Sequence, residues 1–168
     1  LEKKLHQQVK QWQHQDLREV PIPKSNGKTR MLKIPTIADR AWQCLVKLAL
    51  EPAHEAEFHE RSYGFRPGRS THDAQKFLFH HLRSPSNGKD KRIIELDIEK
   101  GFDRINHQTI LDKAMAPKWV KDRLRQCLNA GIHPDYPEQG TPQGGVISPL
   151  LANIALNGIE SIHTSVRY

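Results

Sequence analysis

Arg92-Ile93-Ile94-Glu95-Leu96-Asp97-Ile98-Glu99-Lys100-Gly101-Phe102-Asp103 is the stretch on which the reading of this chain turns. Its first seven residues are rich in β-branched side chains, which predicts a central strand. Asp97 ends that otherwise apolar run, where a buried carboxylate is costly unless it is paired or binds a cation. A partly exposed carboxylate at a strand end, or a salt bridge to Lys100, accounts for it without any function. Gly101 then turns the chain out of the strand, and Phe102 lies five residues after Asp97. An acidic strand end beside turn amides can hold Mg²⁺ and a nucleoside triphosphate together.

Toward the C-terminus, helices are expected near 107–115 and 118–129, followed by an irregular stretch over 131–145. Ser148-Pro149 places a cap residue before proline at a first helical position, and Leu150, Leu151, Ile154, Ala155 and Ile159 supply a helix face. Gly140-Thr141-Pro142-Gln143-Gly144-Gly145 sets three glycines around one amide side chain. That suits close backbone approach to a ligand, and equally a tight turn before a helix.

Toward the N-terminus, Leu1, Leu5, Val9 and Trp12 recur at helical spacing and predict an amphipathic helix over 1–15. Asn26-Gly27 between two extended runs predicts a hairpin, with the prolines placing 18–23 at an edge. Thr36 to Asp39 has the form of a capping box opening a long helix to about Phe58, its buried stripe expected at Ile37, Ala41, Leu45, Leu48 and Ala49. Asp39 reads as a helix-start carboxylate. The loop Ser62–Arg69 leads to Ser70-Thr71-His72-Asp73, which caps a helix carrying Ala74, Phe77, Leu78 and Leu82. A turn is expected at 85–90.

The 168 residues carry 26 Lys plus Arg against 19 Asp plus Glu, a net charge of +7, which suits a polyanionic partner. Lys24, Lys28, Arg30 and Lys33 cluster at the hairpin. Arg61, Arg66 and Arg69 surround Tyr63 and Phe65, an arrangement suited to phosphate pairing and base stacking and also ordinary for solvated surface. Cys44 and Cys127 have no second thiol or imidazole at ligand spacing, so both are expected to be structural in a reduced, cytoplasmic compartment, bacterial or organellar. No apolar run reaches the ~20 residues of a membrane helix. His72 and His107 are expected to be structural.

Four blocks in order carry a resemblance. Pro23 to Arg30 with Ile34 to Arg40 resembles the first block of group II intron reverse transcriptases, and Ser62-Tyr63-Gly64-Phe65-Arg66-Pro67-Gly68-Arg69-Ser70 resembles their second. Leu96-Asp97-Ile98 with Gly101-Phe102-Asp103 is similar to the block bearing the first catalytic aspartate. Gly140 to Asn153 is similar to the fourth. The resemblance covers roughly residues 18–168.

It implies an α+β fold, the fingers of a right-hand polymerase (1–90, with the basic hairpin at 19–34) joined to an incomplete palm (91–168). It implies an RNA-directed DNA polymerase whose two Mg²⁺ ions, with Mn²⁺ a substitute, serve transfer to a primer hydroxyl. By the same resemblance Asp97 is catalytic and a metal ligand, helped by the Ile98 carbonyl. Lys24 and Arg30 clamp the incoming triphosphate, the Lys100 and Gly101 amides meet its phosphates, Phe102 is the steric gate against a 2′-hydroxyl, and Gln143 lines the nucleotide pocket. Lys28, Arg66 and Arg69 contact the template. The implied partners are an RNA template (intron RNA), a DNA primer and dNTPs.

Family members carry Tyr-Ala-Asp-Asp on a hairpin. Ser165-Val166-Arg167-Tyr168 is similar to the strand leading into it, so the resemblance implies that these 168 residues by themselves do not polymerise. It also implies an exposed apolar sheet edge in the palm that could self-associate. A non-catalytic RNA-binding module, or a related CRISPR-associated or defence reverse transcriptase, fits the same blocks.

Overall fold

The hairpin forms where turn chemistry puts it. β1 (Arg18–Pro23) runs antiparallel to β2 (Thr29–Ile34), with Val20 opposite Leu32 and Pro23 opposite Thr29. Gly27 sits at φ 75°, open to a residue without Cβ. The computed structural model describes residues 2–23, 25, 27, 29–83, 93, 95–130, 138–142 and 144–164. Among them β1 and β2 make a two-stranded sheet, and the remaining elements are helices. The expected turn at 85–90 and the strand at 165–168 lie outside the described residues.

The N-terminal helix is shorter than its periodicity predicts: α1 spans Glu2–Gln8, with a 3₁₀ turn over Val9–Gln11. The Val9 carbonyl accepts a hydrogen bond from Trp42 Nε1 at 3.0 Å. Trp12 turns inward and donates to Asp39 Oδ1 at 2.9 Å. Two long-range indole bonds thus stand at the point where a longer helix would have run on.

α2 (Ile37–Glu57) is capped by Thr36, whose Oγ1 accepts from the Asp39 amide at 3.1 Å. Its buried face is not the expected one. Asp39, Trp42, Gln43, Val46, Leu50 and His54 point inward, while Ile37, Leu45, Leu48 and Ala49 are exposed. Both stripes have helical spacing, and only the neighbours decide between them. α3 (Thr71–Leu82) has the expected box, with Asp73 N–H donating to Ser70 Oγ at 3.3 Å and Asp73 Oδ2 accepting from Ser70 N–H at 2.8 Å. None of its residues is buried.

α4 (Gly101–Arg104), α5 (His107–Lys113), α6 (Lys118–Ala130) and α7 (Ser148–Leu156) follow. α5 and α6 begin where the sequence places them. Ser148, however, is the first residue of α7 rather than its cap, and its Oγ donates to the Pro142 carbonyl at 2.8 Å. Ile159, expected on the same face, belongs to a 3₁₀ turn, Ile159–Thr164, and is exposed.

One apolar cluster joins Trp12, Trp42, Val46 and Leu50 to Ile110, Leu124, Leu128 and Leu151. Each such side chain contributes ~1.5–3 kcal/mol on burial. This core ties α2 to α5, α6 and α7 across the segment 84–92.

The central strand is the clearest departure. Described residues 93 and 95–98 form no strand, and Ile93, Leu96 and Ile98 are exposed. Strand amides need a partner to bond, and among the described residues none pairs with this segment. The cysteines also part company: Cys127 is buried, its thiol pushed up to about 12 by burial, while Cys44 is exposed. Among the described residues no helix is long and apolar enough to cross a membrane.

Candidate functional site

Asp97 lies exposed in chain without regular secondary structure, just before a tight turn. The Ile98 carbonyl accepts from the Gly101 amide at 3.3 Å, and Lys100 O accepts from Asp103 N–H at 2.8 Å. Lys100 takes a left-handed conformation, φ 52°, unusual for a residue with Cβ. The two backbone groups expected to meet metal and phosphate, Ile98 O and Gly101 N–H, therefore satisfy each other through a long bond. A ligand carrying both charges can replace that bond with two stronger, charge-assisted ones.

The chain leaving this turn is stitched to the loop before the Pro-Gln-Gly-Gly segment. Thr141 N–H donates to Phe102 O at 2.7 Å, Gly140 N–H to Ile105 O at 2.8 Å, and His107 N–H to Glu138 O at 3.0 Å. His107 Nε2 lies 2.6 Å from the Gly140 carbonyl, so this nitrogen carries the proton and donates. Burial holds His107 below its ordinary value, which keeps the ring neutral. Gly140 is required here: its φ is 90°, and a Cβ would stand 2.8 Å from Asp103 O. Gly140→Ala is expected to cost about 2–3 kcal/mol and to loosen the Phe102 turn; urea unfolding, with amide exchange at residues 102–107, checks both.

The second block meets the same turn. Phe65, itself at φ 57°, sets its ring edge-on to Phe102 with centroids 6.1 Å apart. Asn153 Nδ2 on α7 donates to Gly64 O at 2.9 Å. Arg66 is buried, bonded through Nε and Nη2 to the Glu55 carboxylate and through Nη1 to His59 O and Ser62 O. Arg69 donates to Glu60 O, and its guanidinium lies over the Tyr63 ring, 5.6 Å from the centroid.

The fourth block is held from below by Gln43. Its Oε1 accepts from Val146 N–H at 2.8 Å, and its Nε2 lies 3.3 Å from Cys127 Sγ. A Cβ on Gly144 would stand 3.4 Å from the Lys33 carbonyl oxygen, so the end of β2 passes close to this loop. Arg30 stands on β2 opposite Ile22. Lys24, Lys28 and Gln143 lie outside the described residues. Gln43, His107 and Asn153 build the site without having been singled out for it. The available signal was a polar residue on a core-facing helix position, as Gln43 is between Trp42 and Val46.

The oxygen donors of Asp97 and Ile98 have the chemistry a hard divalent cation takes. Among the described residues no three His, Cys, Asp or Glu side chains gather into a fuller ligand set. The histidines carry a pH dependence instead. His14, His54 and His107 are all held below the ordinary 6.5 by burial, and His54 Nε2 accepts from Met115 N–H at 3.1 Å. Each is favoured neutral in the folded chain, so stability is full above pH ~6.5 and falls as the pH drops through the lowered values. Urea midpoints from pH 7.5 to 5 are expected to decline; a flat profile would contradict this.

Residues 22–166 match the family model described as reverse transcriptase (RNA-dependent DNA polymerase). The chain belongs to the reverse transcriptase family. It is 34% identical over 157 residues to "Maturase-like protein 1" of Euglena longa, covering 94% of this chain and 34% of that protein. It is 41% identical over 152 residues to "Protein YkfC" of Escherichia coli K12, covering 85% and 39%. To "Group II intron-encoded protein LtrA" of Lactococcus lactis subsp. cremoris it is 36% identical over 156 residues, covering 87% and 25%. This reverse transcriptase chain thus spans about a third of the Euglena relative's length, and the family match encloses all four blocks.

Proposed function

We propose that this chain supplies the nucleotide- and template-handling part of an RNA-directed DNA polymerase of group II intron type. In this reading residues 1–90 are its fingers and 91–168 part of its palm, and the parent protein assists splicing and mobility of its intron RNA. What supports it above all is that the second and fourth blocks, far apart in sequence, meet the third at Phe102, with the first block's strand beside the fourth. Phe65 touches its ring, Thr141 bonds its carbonyl, and the loop that Thr141 enters runs on to Gly144 beside β2.

Phe102 then acts as the gate, a ring that fills the space a ribose 2′-hydroxyl would need. Lys24 and Arg30 pair with the triphosphate, the Lys100 and Gly101 amides meet its phosphates, and Gln143 lines the pocket. Arg69 and Lys28 face the template backbone, while Arg66 serves it indirectly by fixing the loop that carries Phe65. When bound, Mg²⁺ (or Mn²⁺) neutralises charge in phosphoryl transfer, and Asp97 with the Ile98 carbonyl would hold part of its ligand shell.

The test is extension of a DNA primer on an RNA template by the chain in its full coding context. Asp97→Asn is expected to stop incorporation with RNA binding intact. Phe102→Val is expected to raise ribonucleotide use relative to dNTPs about tenfold or more. RNA binding without extension in the unaltered protein would leave the binding-module reading in its place.

A further inference from the structure

We infer that Phe65 is a positioning residue for sugar discrimination, holding the Phe102 ring in the place from which it bars a 2′-hydroxyl. The inference rests on the gate reading of Phe102 given above, and extends it to a residue in a different block of the chain.

Phe65 is held where a phenylalanine gains little for itself. Its backbone is at φ 57°, a left-handed conformation that a bulky side chain rarely adopts. Its ring is 66% exposed, so burial offsets little of that strain. Strain of this kind persists only where the surrounding structure imposes it, and it gathers at functional sites.

The residues on either side do impose it. Gly64 O accepts from Asn153 Nδ2 on α7 at 2.9 Å. Arg66 is buried and grips Glu55 on α2 through Nε and Nη2, at 2.9 and 2.8 Å. Both helices belong to the core, so the loop is fastened on each side of Phe65 and its ring is aimed by the fold.

What the strain delivers is one contact. The Phe65 ring stands edge-on to Phe102, planes at 81° and centroids 6.1 Å apart, an arrangement that aromatic quadrupoles favour. Phe102 needs such a support. It lies in α4, a helix of four residues, and is only half-buried, so its own element packs the ring poorly. Thr141 N–H fixes its carbonyl at 2.7 Å, which holds the backbone and leaves the side-chain torsions free. Phe65 supplies the second point of attachment. A gate must occupy its space to within ~0.5 Å, so a ring that swings loses discrimination before it loses catalysis.

The test is single-nucleotide extension on an RNA template by the chain in its full coding context, with kcat/KM measured for dNTPs and ribonucleotides. Phe65→Gly removes the ring, and glycine takes φ 57° without strain, so the loop keeps its path. The deoxy-over-ribo ratio is expected to fall about three- to tenfold, the scale of one aromatic pair, through a rise in ribonucleotide kcat/KM. Phe65→Tyr keeps the ring and is expected to hold the parent ratio. In a Phe102→Val background the Phe65→Gly effect is expected to vanish, because the two rings act as one device. A ratio unchanged by Phe65→Gly, while Phe102→Val still relaxes it, overturns this inference alone. So does an equal loss for both sugars, which would make Phe65 a template contact, or a Phe65→Gly effect that adds in full to Phe102→Val. A protein that extends no primer, or whose ratio ignores Phe102→Val, removes the gate reading and this inference with it.

Discussion

Asp39→Ala is expected to destabilise the chain by about 3–5 kcal/mol and to release its first fifteen residues from the core. Asp39 is 1% exposed, a carboxylate inside the protein. Its Oδ1 accepts from Trp12 Nε1 at 2.9 Å and lies 3.2 Å from His14 Nδ1. Its Oδ2 accepts from Thr36 Oγ1 at 2.6 Å and from Gln15 N–H at 3.3 Å. Alanine removes the acceptor for all of these at once, and buried donors without acceptors cost more than the bonds themselves contributed. His14 stacks edge-on to Trp42 with centroids 4.8 Å apart, so both indoles lose support together. A fall of about 10 °C in Tm and a red shift of tryptophan emission are expected. Asp39→Asn keeps an acceptor for Trp12 but turns a donor toward Gln15 N–H, and should cost about half as much. An Asp39→Ala chain that melts like the parent would overturn this account of the N-terminal latch.

The same residue shows what was legible in the sequence. Thr36 followed by Asp39 is a local signal, and the cap formed, though with only the Thr36 arm of the box, because the Asp39 carboxylate turns to Trp12 and Gln15; Ser70 with Asp73 and the hairpin around Gly27 formed as read. That Asp39 also fastens Trp12, 27 positions earlier, has no local signature. α2 makes the point physically. Ile37-Ala41-Leu45-Leu48 and Trp42-Val46-Leu50 are both apolar stripes of helical period, and periodicity cannot say which one a distant α5 and α7 will cover. Residues 93–98 show the converse. Their β-branched side chains favour an extended chain, but a strand is a property of a pair, and the described residues provide no partner. Of the candidate site, the residue types were readable because motif spacing is local. Its assembly was not, because it rests on backbone bonds between 102–107 and 138–141 and on Gln43, Asn153 and His107, whose partners lie 33 to 103 positions away.

Arg66→Ala is expected to cost a further ~3–5 kcal/mol, and to disorder the loop that brings Phe65 to Phe102. The guanidinium side chain is 2% exposed and grips the Glu55 carboxylate with Nε at 2.9 Å and Nη2 at 2.8 Å. Nη1 donates to the His59 and Ser62 carbonyls at 2.7 and 2.9 Å, and the ion lies over the Phe58 ring at 5.3 Å. No single-point cation reproduces that fork, so Arg66→Lys should recover only part of the loss. Hydrogen bonding to Arg66 holds the Glu55 carboxyl below its ordinary value. A lowered carboxyl contributes stability that is complete above the unfolded value of about 4.5 and lost as the pH falls through the folded one. The parent chain should therefore weaken further in acid beyond the histidine range, and Glu55→Gln should flatten that part of the profile. If Arg66 acted on nucleic acid directly, Arg66→Lys would keep the fold and change only RNA affinity and its salt dependence. The buried geometry leads to the opposite expectation: a lower urea midpoint first, with the edge-on contact of Phe65 and Phe102 lost before any change in charge at the surface is felt.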